Sequence, residues 1–286
     1  MVSAYLAVVG VNLTQERMTM LKVVTFNIRC DFNQDGNQSF SYRKDLIFKK
    51  IEKENPDILC FQEVLPHVAV WLKENLSSYY VLGCGRSENL RDEQMAIAYK
   101  KDKYNLISME TYWLSKTPHL PGSRYKEQSI CPRTCTEVLL EDLEENKVFR
   151  IINTHLDHEG SHARRLGLQQ IINKVEENTF FKEVPTFLMG DFNAEPSSDE
   201  LSILRNDGRY VNLTKDVGIT YHGFLPEDEA EYIDYIYLKD NEKILNLLSI
   251  EKWQDKVSDI WLSDHYPICA ILKWKKEEGG NVNETI

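Results

Sequence analysis

Carboxylates, amides and imidazoles recur in this chain where apolar runs of the sequence end or begin. The residues are Asn27, Glu63, His155, Asp157, Asp191, Asn193, Asp234, Asp264 and His265. Protein scaffolds often place catalytic groups in loops at the ends of strands. Because the set offers oxygen and imidazole ligands without a thiolate, it suits Mg²⁺ or Mn²⁺ rather than a structural zinc ion. The pattern therefore predicts metal-dependent chemistry.

Each residue also has an ordinary structural interpretation when it is taken alone. Glu63 could cap the helix expected around residue 70, and Asp191 could belong to an Asp/Asn turn. Asp234 is harder to explain in this way, because Tyr and Ile flank it on both sides and predict a half-buried strand. A buried carboxylate needs a partner to offset the cost of burial, and His265 is the expected partner.

Short runs rich in Val, Ile, Phe and Tyr predict the strands that position these groups. They span residues 21–28, 58–62, 95–99, 150–155, 186–191, 232–238 and 266–274. Helical periodicity lies between them, over 43–54, 162–178 and, begun by a serine cap, 197–205. No linker or internal repeat divides the chain. We therefore expect one domain in which two β-sheets pack face to face with helices outside.

The composition fits a single large globular domain. The chain has 286 residues, of which 42% are apolar. We expect the domain to span residues 21–276, after an N-terminal extension over 1–20 and before a polar tail over 277–286. The apolar stretch from Tyr5 to Val11 has no basic region before it and no clear cleavage site, so we expect no signal peptide. No run approaches the roughly 20 apolar residues that span a bilayer.

The net charge and the cysteines limit which binding partners and which cellular compartment we expect. The formal net charge is −11, and no run of lysines or arginines forms a stripe that could follow a nucleic-acid backbone. Small phosphorylated partners are therefore favoured. The six cysteines are scattered, and Cys131 and Cys135 are not followed by a second pair at zinc-finger spacing. We interpret them as reduced thiols of a cytoplasmic protein, and we expect a monomer.

Six motifs in order resemble those of the endonuclease/exonuclease/phosphatase superfamily. They are Thr25-Phe26-Asn27, Gln62-Glu63, Asn153-Thr154-His155, Gly190-Asp191-Phe192-Asn193, Ile233-Asp234-Tyr235 and Ser263-Asp264-His265. One motif alone is weak, but six in order over residues 21–274 are specific. The resemblance implies an α/β fold, a four-layer sandwich of two packed mixed β-sheets flanked by helices, with the active site at one edge between the sheets.

The resemblance also implies a metal site and a phosphoesterase activity. Glu63 would be the principal Mg²⁺ ligand, with Asn27 beside it and Asp264 near or on the metal; Mn²⁺ would suit the same ligands. Phosphoryl transfer to water needs in-line attack and charge neutralisation, which one metal, two donors and a base can supply. The protein is therefore expected to be an enzyme that hydrolyses phosphoric ester bonds.

Catalytic roles follow from the same resemblance. Asp191 would orient and deprotonate the attacking water, and Asn193 would hold that water or a phosphate oxygen. His155 and His265 would donate hydrogen bonds to phosphate oxygens as charge builds, and Asp234 would fix the tautomer and orientation of His265.

The sequence departs from the DNA-repair branch of the superfamily at one position. That branch has an acidic residue two positions after the motif asparagine, and this chain has Arg29. The surrounding motifs resemble the bacterial hydrolases related to the deadenylase and nocturnin-like enzymes. Arg29, Arg165 and His222 would then contact the substrate, although Arg164 and Arg165 also fit the exposed face of a helix.

Three functional hypotheses follow. The first is hydrolysis of a phosphomonoester or phosphodiester in a small molecule, a nucleotide or a lipid head group. The second is a nuclease or deadenylase acting on single-stranded nucleic acid, which needs a basic or aromatic groove; residues 113–126 are the candidate. The third, a non-catalytic binding protein with the same fold, is disfavoured because every expected acid, amide and imidazole is present.

Overall fold

The computed structural model describes residues 20–224 and 230–276. Over these residues the chain forms two six-stranded sheets, a two-stranded ribbon and four α-helices. The first described strand begins at Met20, next to residue 21, where we expect the domain to begin. The expected extension before it and the tail after residue 276 lie outside the described residues.

The first sheet is mixed. Its strands are β1 (Met20–Asn27), β2 (Ile58–Val64), β3 (Tyr79–Leu82), β4 (Gln94–Lys100), β11 (Leu245–Lys252) and β14 (Ile268–Trp274). They lie in the order β11-β14-β1-β2-β4-β3. β1 and β2 are parallel, and the other neighbours are antiparallel. β14 begins two residues later than predicted, because Pro267 has no N–H for the ladder.

The second sheet is also mixed, with one parallel pair of strands and antiparallel pairing elsewhere. Its strands are β5 (Tyr104–Trp113), β6 (Thr134–Asp142), β7 (Lys147–His155), β8 (Thr186–Asp191), β9 (Tyr210–Asn212) and β10 (Asp234–Lys239). Their order is β5-β6-β7-β8-β10-β9, and β7 and β8 are the parallel pair. The ribbon pairs β12 (Lys256–Val257) with β13 (Ile260–Trp261).

The helices cover the outer faces of the sheets. They are α1 (Phe40–Glu54), α2 (Pro66–Asn75), α3 (Ser161–Glu177) and α4 (Ser202–Arg205), with 3-10 turns at Gly36–Gln38 and Asp199–Leu201. The helix predicted over 197–205 is therefore only a 3-10 turn followed by one α-turn. Its predicted serine cap was wrong, because the residue before the 3-10 turn is Ser198 and its side chain makes no capping hydrogen bond.

Three apolar layers hold the structure together and confirm the four-layer sandwich. The central layer lies between the sheets and contains Cys60, Ile151 and Phe187. The outer layers bury α1 and α2 against the first sheet and α3 and α4 against the second. Because the central strands are buried on both faces, their sequences are nearly continuous apolar runs. No helix in the described ranges is long and apolar enough to cross a bilayer.

Strand direction brings the predicted site residues to one edge of the sandwich. In the parallel pairs, Asn27 lies opposite Gln62, and His155 lies opposite Asp191. The antiparallel neighbour places Asp234 opposite Asp191. Between the sheets, β1 packs over β8, β2 over β7 and β4 over β6. Side chains that are far apart in sequence therefore meet at this edge.

Candidate active site

Asp191 is the point at which the candidate site residues converge. It is 2% exposed at the end of β8. Asn27 Nδ2 donates to Asp191 Oδ2 at 3.0 Å, while His155 Nε2 and His265 Nε2 lie 3.5 and 3.8 Å from the same oxygen. The backbone N–H of Asn193 donates to Oδ1 at 2.9 Å. The motifs singled out in the sequence thus surround one carboxylate.

Gly190 allows the strand before Asp191 to approach its neighbour closely. Its φ is 141°, and a Cβ at this position would lie 1.8 Å from the carbonyl oxygen of Thr154. Only glycine fits this conformation and this spacing. The glycine of the Gly190-Asp191 motif is therefore needed to set His155 and Asp191 side by side.

Glu63 approaches Asp191 from the first sheet. The ladder between β2 and β4 is irregular between Phe61 and Val64, and Glu63 itself has a left-handed φ of 61°. Its Oε1 accepts a hydrogen bond from Asn27 Nδ2 at 2.9 Å, and its Oε2 accepts one from the Cys30 backbone at 2.7 Å. The irregularity turns the carboxylate into the site, where two donors fix it.

Asn27 joins the two sheets at the centre of the site. Its amide nitrogen donates to both Glu63 and Asp191, and its oxygen accepts the Arg29 backbone N–H at 3.0 Å. The hydrogen-bond partners fix which end of the amide faces the carboxylates. Asn27 therefore directs its N–H groups, rather than its oxygen, toward Glu63 and Asp191.

Asp234 and His265 form the pair that the sequence predicted. His265 Nδ1 lies 2.8 Å from Asp234 Oδ2, and both side chains are buried. Burial alone would lower the pKa of His265, but the charge of Asp234 and its hydrogen bond raise it to about 10. The imidazole is therefore protonated at neutral pH, with Nε2–H facing Asp191.

His155 has the opposite electrostatic environment. Burial lowers its pKa well below the usual value, and the charges of Arg133 and Arg86 lower it further. Its Nδ1 has no hydrogen-bond partner in the described part of the chain. The site thus combines a neutral imidazole at His155 with a cationic one at His265.

The carboxylates of the site fit a hard divalent cation. Ligand atoms of Glu63, His155 and Asp191 lie within 4.8 Å of one another. Burial, followed by the charge of Asp234, raises the pKa of Asp191 to about 7, and burial also raises the pKa of Asp264. Burial opposes the ionisation of Glu63 too, but the Asn27 hydrogen bond, the charge of His265 and the Cys30 backbone hydrogen bond together lower that pKa. Converging buried acids of this kind are stabilised by a cation with oxygen ligands.

A cavity of about 390 Å³ opens above these groups. This volume is in the range of small-molecule sites. Its wall includes the acids Glu63, Glu93, Asp191, Glu231 and Asp264, and also the cationic or titratable groups Arg29, Arg86, Arg133 and His158. The cavity therefore offers several fixed donors to an anionic ligand.

Of the three residues predicted to contact the substrate, one lines the cavity and two do not. Arg29 lines the cavity, and Asp35 and Asp264 hold its guanidinium at 3.0 and 3.2 Å. Arg165 is exposed on α3 and does not line the cavity. His222 is buried, with ring centroids 4.5 Å from Tyr266 and 4.8 Å from Trp261. His222 also lies outside the cavity wall.

The stretch over residues 113–126 was the candidate groove for a nuclease, and its tryptophan is buried. Trp113 is 4% exposed, and its indole N–H donates to the carbonyl oxygen of Arg86 at 2.5 Å. The Tyr125 hydroxyl donates to Gln170 at 2.9 Å. Trp113 is therefore a structural residue and cannot stack on a base.

Sequence reasoning missed Arg86, Glu93 and Arg133, which line the cavity. They lie in loops and belong to none of the six motifs. Arg133 directly precedes β6, which was not predicted, and Glu93 directly precedes β4, which was predicted over residues 95–99.

Comparison with known proteins agrees with this geometry. A sequence model of the endonuclease/exonuclease/phosphatase family matches residues 24–265. An endonuclease/exonuclease/phosphatase from Bacteroides vulgatus superposes with a TM-score of 0.83 and is 31% identical, over 90% of this chain and 100% of that one. A mannosyl-6-phosphatase from Bacteroides thetaiotaomicron has a TM-score of 0.79 at 23% identity, over 89% and 100%, and so shares the fold.

A curated relative is the CCR4-Not complex 3'-5'-exoribonuclease subunit Ccr4 of Mycosarcoma maydis. It is 22% identical over 70% of this chain and 34% of its own length. The chain therefore spans about a third of that relative.

Proposed function

Since the chain belongs to the endonuclease/exonuclease/phosphatase family of phosphoesterase hydrolases, we propose that it hydrolyses a phosphate ester of a small molecule by Mg²⁺-dependent attack of water. One observation carries this proposal. Asn27, His155 and His265 converge on a single oxygen of Asp191, beside Glu63 and beneath a cavity whose wall includes three arginines among its acids. The arrangement supplies a base, phosphate donors and cation ligands at one point.

Glu63 and Asp264 would hold the Mg²⁺ ion, and Mn²⁺ would suit the same oxygens. Bound metal supplies positive charge that neutralises phosphate oxygens. Asn27 was expected as a ligand, but its N–H groups face Glu63 and Asp191. We therefore assign it the role of fixing both carboxylates.

Asp191 would act as the general base. A base is most effective when its pKa lies near the working pH, and burial and Asp234 raise that of Asp191 to about 7. Asn193 Nδ2 donates to the Leu156 carbonyl oxygen at 3.0 Å, so its side-chain oxygen is the atom available to orient the attacking water. The water oxygen forms the new bond to phosphorus, Asp191 accepts the proton, and the bond to the leaving oxygen breaks; solvent protonates that oxygen.

The two histidines would stabilise the charge that develops on the phosphate. His265 is kept protonated by Asp234 and offers Nε2–H toward the space above Asp191. His155 offers one N–H as a neutral imidazole. A positioned donor of this kind contributes about 10²- to 10³-fold to the rate.

The cavity favours a small phosphorylated substrate such as a sugar phosphate, a nucleotide or a lipid head group. A volume of about 390 Å³ and a net charge of −11 both suit this class. The alternative is a nuclease acting on single strands, which the similarity to the Ccr4 subunit supports. The burial of Trp113 weighs against it.

The test is release of product from a panel of sugar phosphates, inositol phosphates, NADPH, sphingomyelin, oligo(A) and abasic DNA. Glu63→Gln should abolish turnover, as should EDTA. Asp45→Asn, which changes an exposed acid on α1, is the matched control and should retain it. Activity on oligo(A) alone would favour the nuclease, and turnover that survives both EDTA and Glu63→Gln would contradict the metal mechanism.

A further inference from the structure

Arg133 is a buried cation whose donors are only partly used. Its side chain is 4% exposed, and it lines the cavity. Nη2 lies 2.9 Å from His158 Nδ1, while Nε and Nη1 have no hydrogen-bond partner within residues 20–224 and 230–276. Leaving such a donor unpaired costs about 1–3 kcal/mol. An acceptor supplied by a ligand in the cavity would remove this cost.

The nearest acid does not satisfy Arg133. Asp157 Oδ1 is 3.8 Å from Nε, beyond hydrogen-bond distance. The Asp157 carboxylate already accepts hydrogen bonds from the Ser129 hydroxyl and from the backbone of Ser129 and Gly160. Those bonds hold the carboxylate on the loop, so Nε and Nη1 of Arg133 are left without a partner in the wall of the cavity.

Arg86 and Glu93 complete this wall of the cavity. Arg86 is 6% exposed and donates to Glu93 at 2.8 Å. Burial lowers the pKa of Arg133, and the charge of Arg86 lowers it further. Arg86 is already paired with Asp92 and Glu93, so an anion in the cavity would gain hydrogen bonds chiefly from Arg133 and attraction from the charge of Arg86.

The wall is separated from the catalytic centre by the spacing of the strands. Arg133 precedes β6, His155 ends β7 and Asp191 ends β8. Neighbouring strands are about 4.8 Å apart, so the backbone of Arg133 lies roughly 10 Å from that of Asp191. In the first sheet, Glu93 precedes β4, one strand beyond Glu63, and β4 packs over β6.

We propose that Arg133 and Arg86 form a subsite for a second anionic group of the substrate, a phosphate or a carboxylate, at the wall of the cavity that the segments before β6 and β4 form. This inference rests on the proposed function. It narrows the substrate to phosphate esters that carry a further negative group some distance from the reacting phosphorus. The scissile phosphate has its own donors in His155 and His265, so Arg133 is not needed there.

The test uses two probes that differ by one phosphate, fructose 6-phosphate and fructose 1,6-bisphosphate. Binding is measured by calorimetry with EDTA present, so that no turnover occurs. We expect the wild type to bind the bisphosphate about 10- to 100-fold more tightly, as one charge-assisted contact allows. Arg133→Met and Arg86→Met should each reduce this preference and leave the affinity for fructose 6-phosphate unchanged.

Arg165→Met is the matched control, because it removes an exposed arginine outside the cavity; its preference should equal that of the wild type. If Arg133→Met does not fold, Arg133→Lys keeps the charge and should retain part of the preference. The subsite proposal is wrong if the wild type binds both sugar phosphates with equal affinity. It is also wrong if Arg133→Met keeps the wild-type preference for the bisphosphate, or if it loses affinity for both sugar phosphates equally. Binding is measured without metal and without turnover, so the experiment tests the subsite even if the protein proves not to be a hydrolase.

Discussion

The hydrogen bond between His265 Nδ1 and Asp234 Oδ2, 2.8 Å long, connects the two sheets of the sandwich. Asp234 begins β10 in the second sheet, whereas His265 lies just before β14 in the first. The contact therefore sets the protonation of His265 and also the position of one sheet edge relative to the other.

Asp191→Asn should lower kcat by about 10²- to 10⁴-fold, because it removes the base while preserving the shape of the side chain. Initial rates on the best substrate of the panel, together with circular dichroism, test this. A variant that keeps its fold and a near-wild-type rate would remove Asp191 from the mechanism.

Asp234→Asn and His265→Ala should not be additive. Asp234 acts on His265 through a hydrogen bond and on Asp191 only through its charge, so Asp234→Asn should cost about 10- to 100-fold in kcat alone and clearly less when His265 is already alanine. A double-mutant cycle measures this coupling. Fully additive losses would mean that Asp234 has a separate role in the reaction.

Mg²⁺ should stabilise the folded protein. At a free concentration of 100 times Kd, binding should raise the free energy of unfolding by about 2.7 kcal/mol. Thermal unfolding with and without Mg²⁺ should show the shift in the wild type and in Asp45→Asn, and a smaller one in Glu63→Gln. An equal shift in all three proteins would place the ion elsewhere.

Gly190→Ala should destabilise the protein by about 2–4 kcal/mol, because the new Cβ would lie 1.8 Å from the Thr154 carbonyl oxygen. Gly208→Ala is the control, since nothing lies within 4 Å of a Cβ at that exposed position. Urea unfolding compares the two variants. Similar stabilities would mean that β7 and β8 can separate locally at little cost.

His222 should make stability fall in mild acid. Burial, with the His265 charge, lowers its pKa from 6.5 to about 4. The folded state thus keeps His222 neutral, while the unfolded state binds a proton once the pH falls below about 6.5. Between about pH 6.5 and pH 4 the wild type should therefore lose about 2–3 kcal/mol more than His222→Gln. If urea titrations show that the wild type and His222→Gln lose the same free energy of unfolding over this pH range, the lowered pKa of His222 is wrong.

The sequence predicted most of the interior strands and missed the edge strands β3, β5, β9 and β11. β1, β2 and β8 are recognisable because apolar residues predominate in strands whose faces are covered by helices or by the other sheet. β6 is also interior, but it was missed because Thr134, Thr136 and Glu137 interrupt its apolar residues. β5 is an edge strand whose central residues are exposed, so its sequence contains polar residues that hide the strand pattern.

In the candidate site, too, some residues could be predicted from the sequence and others could not. Motif residues such as Asp191 and His265 were identified because each has a fixed neighbourhood in sequence. Arg86 and Arg133 acquire their position only when β4 packs over β6. That contact joins segments with no local signal in common, so their role could not be predicted from the sequence.

Three residues at the cavity hold a left-handed backbone without being glycine: Arg29, Glu63 and Asn193, with φ of 65°, 61° and 49°. Each such residue costs on the order of 1 kcal/mol or more. The protein is therefore less stable than its fold permits, and the deficit lies where we propose that Glu63 binds the metal and Asn193 orients the attacking water. Selection for heat resistance alone would favour glycine at these positions and would gain stability at the expense of turnover.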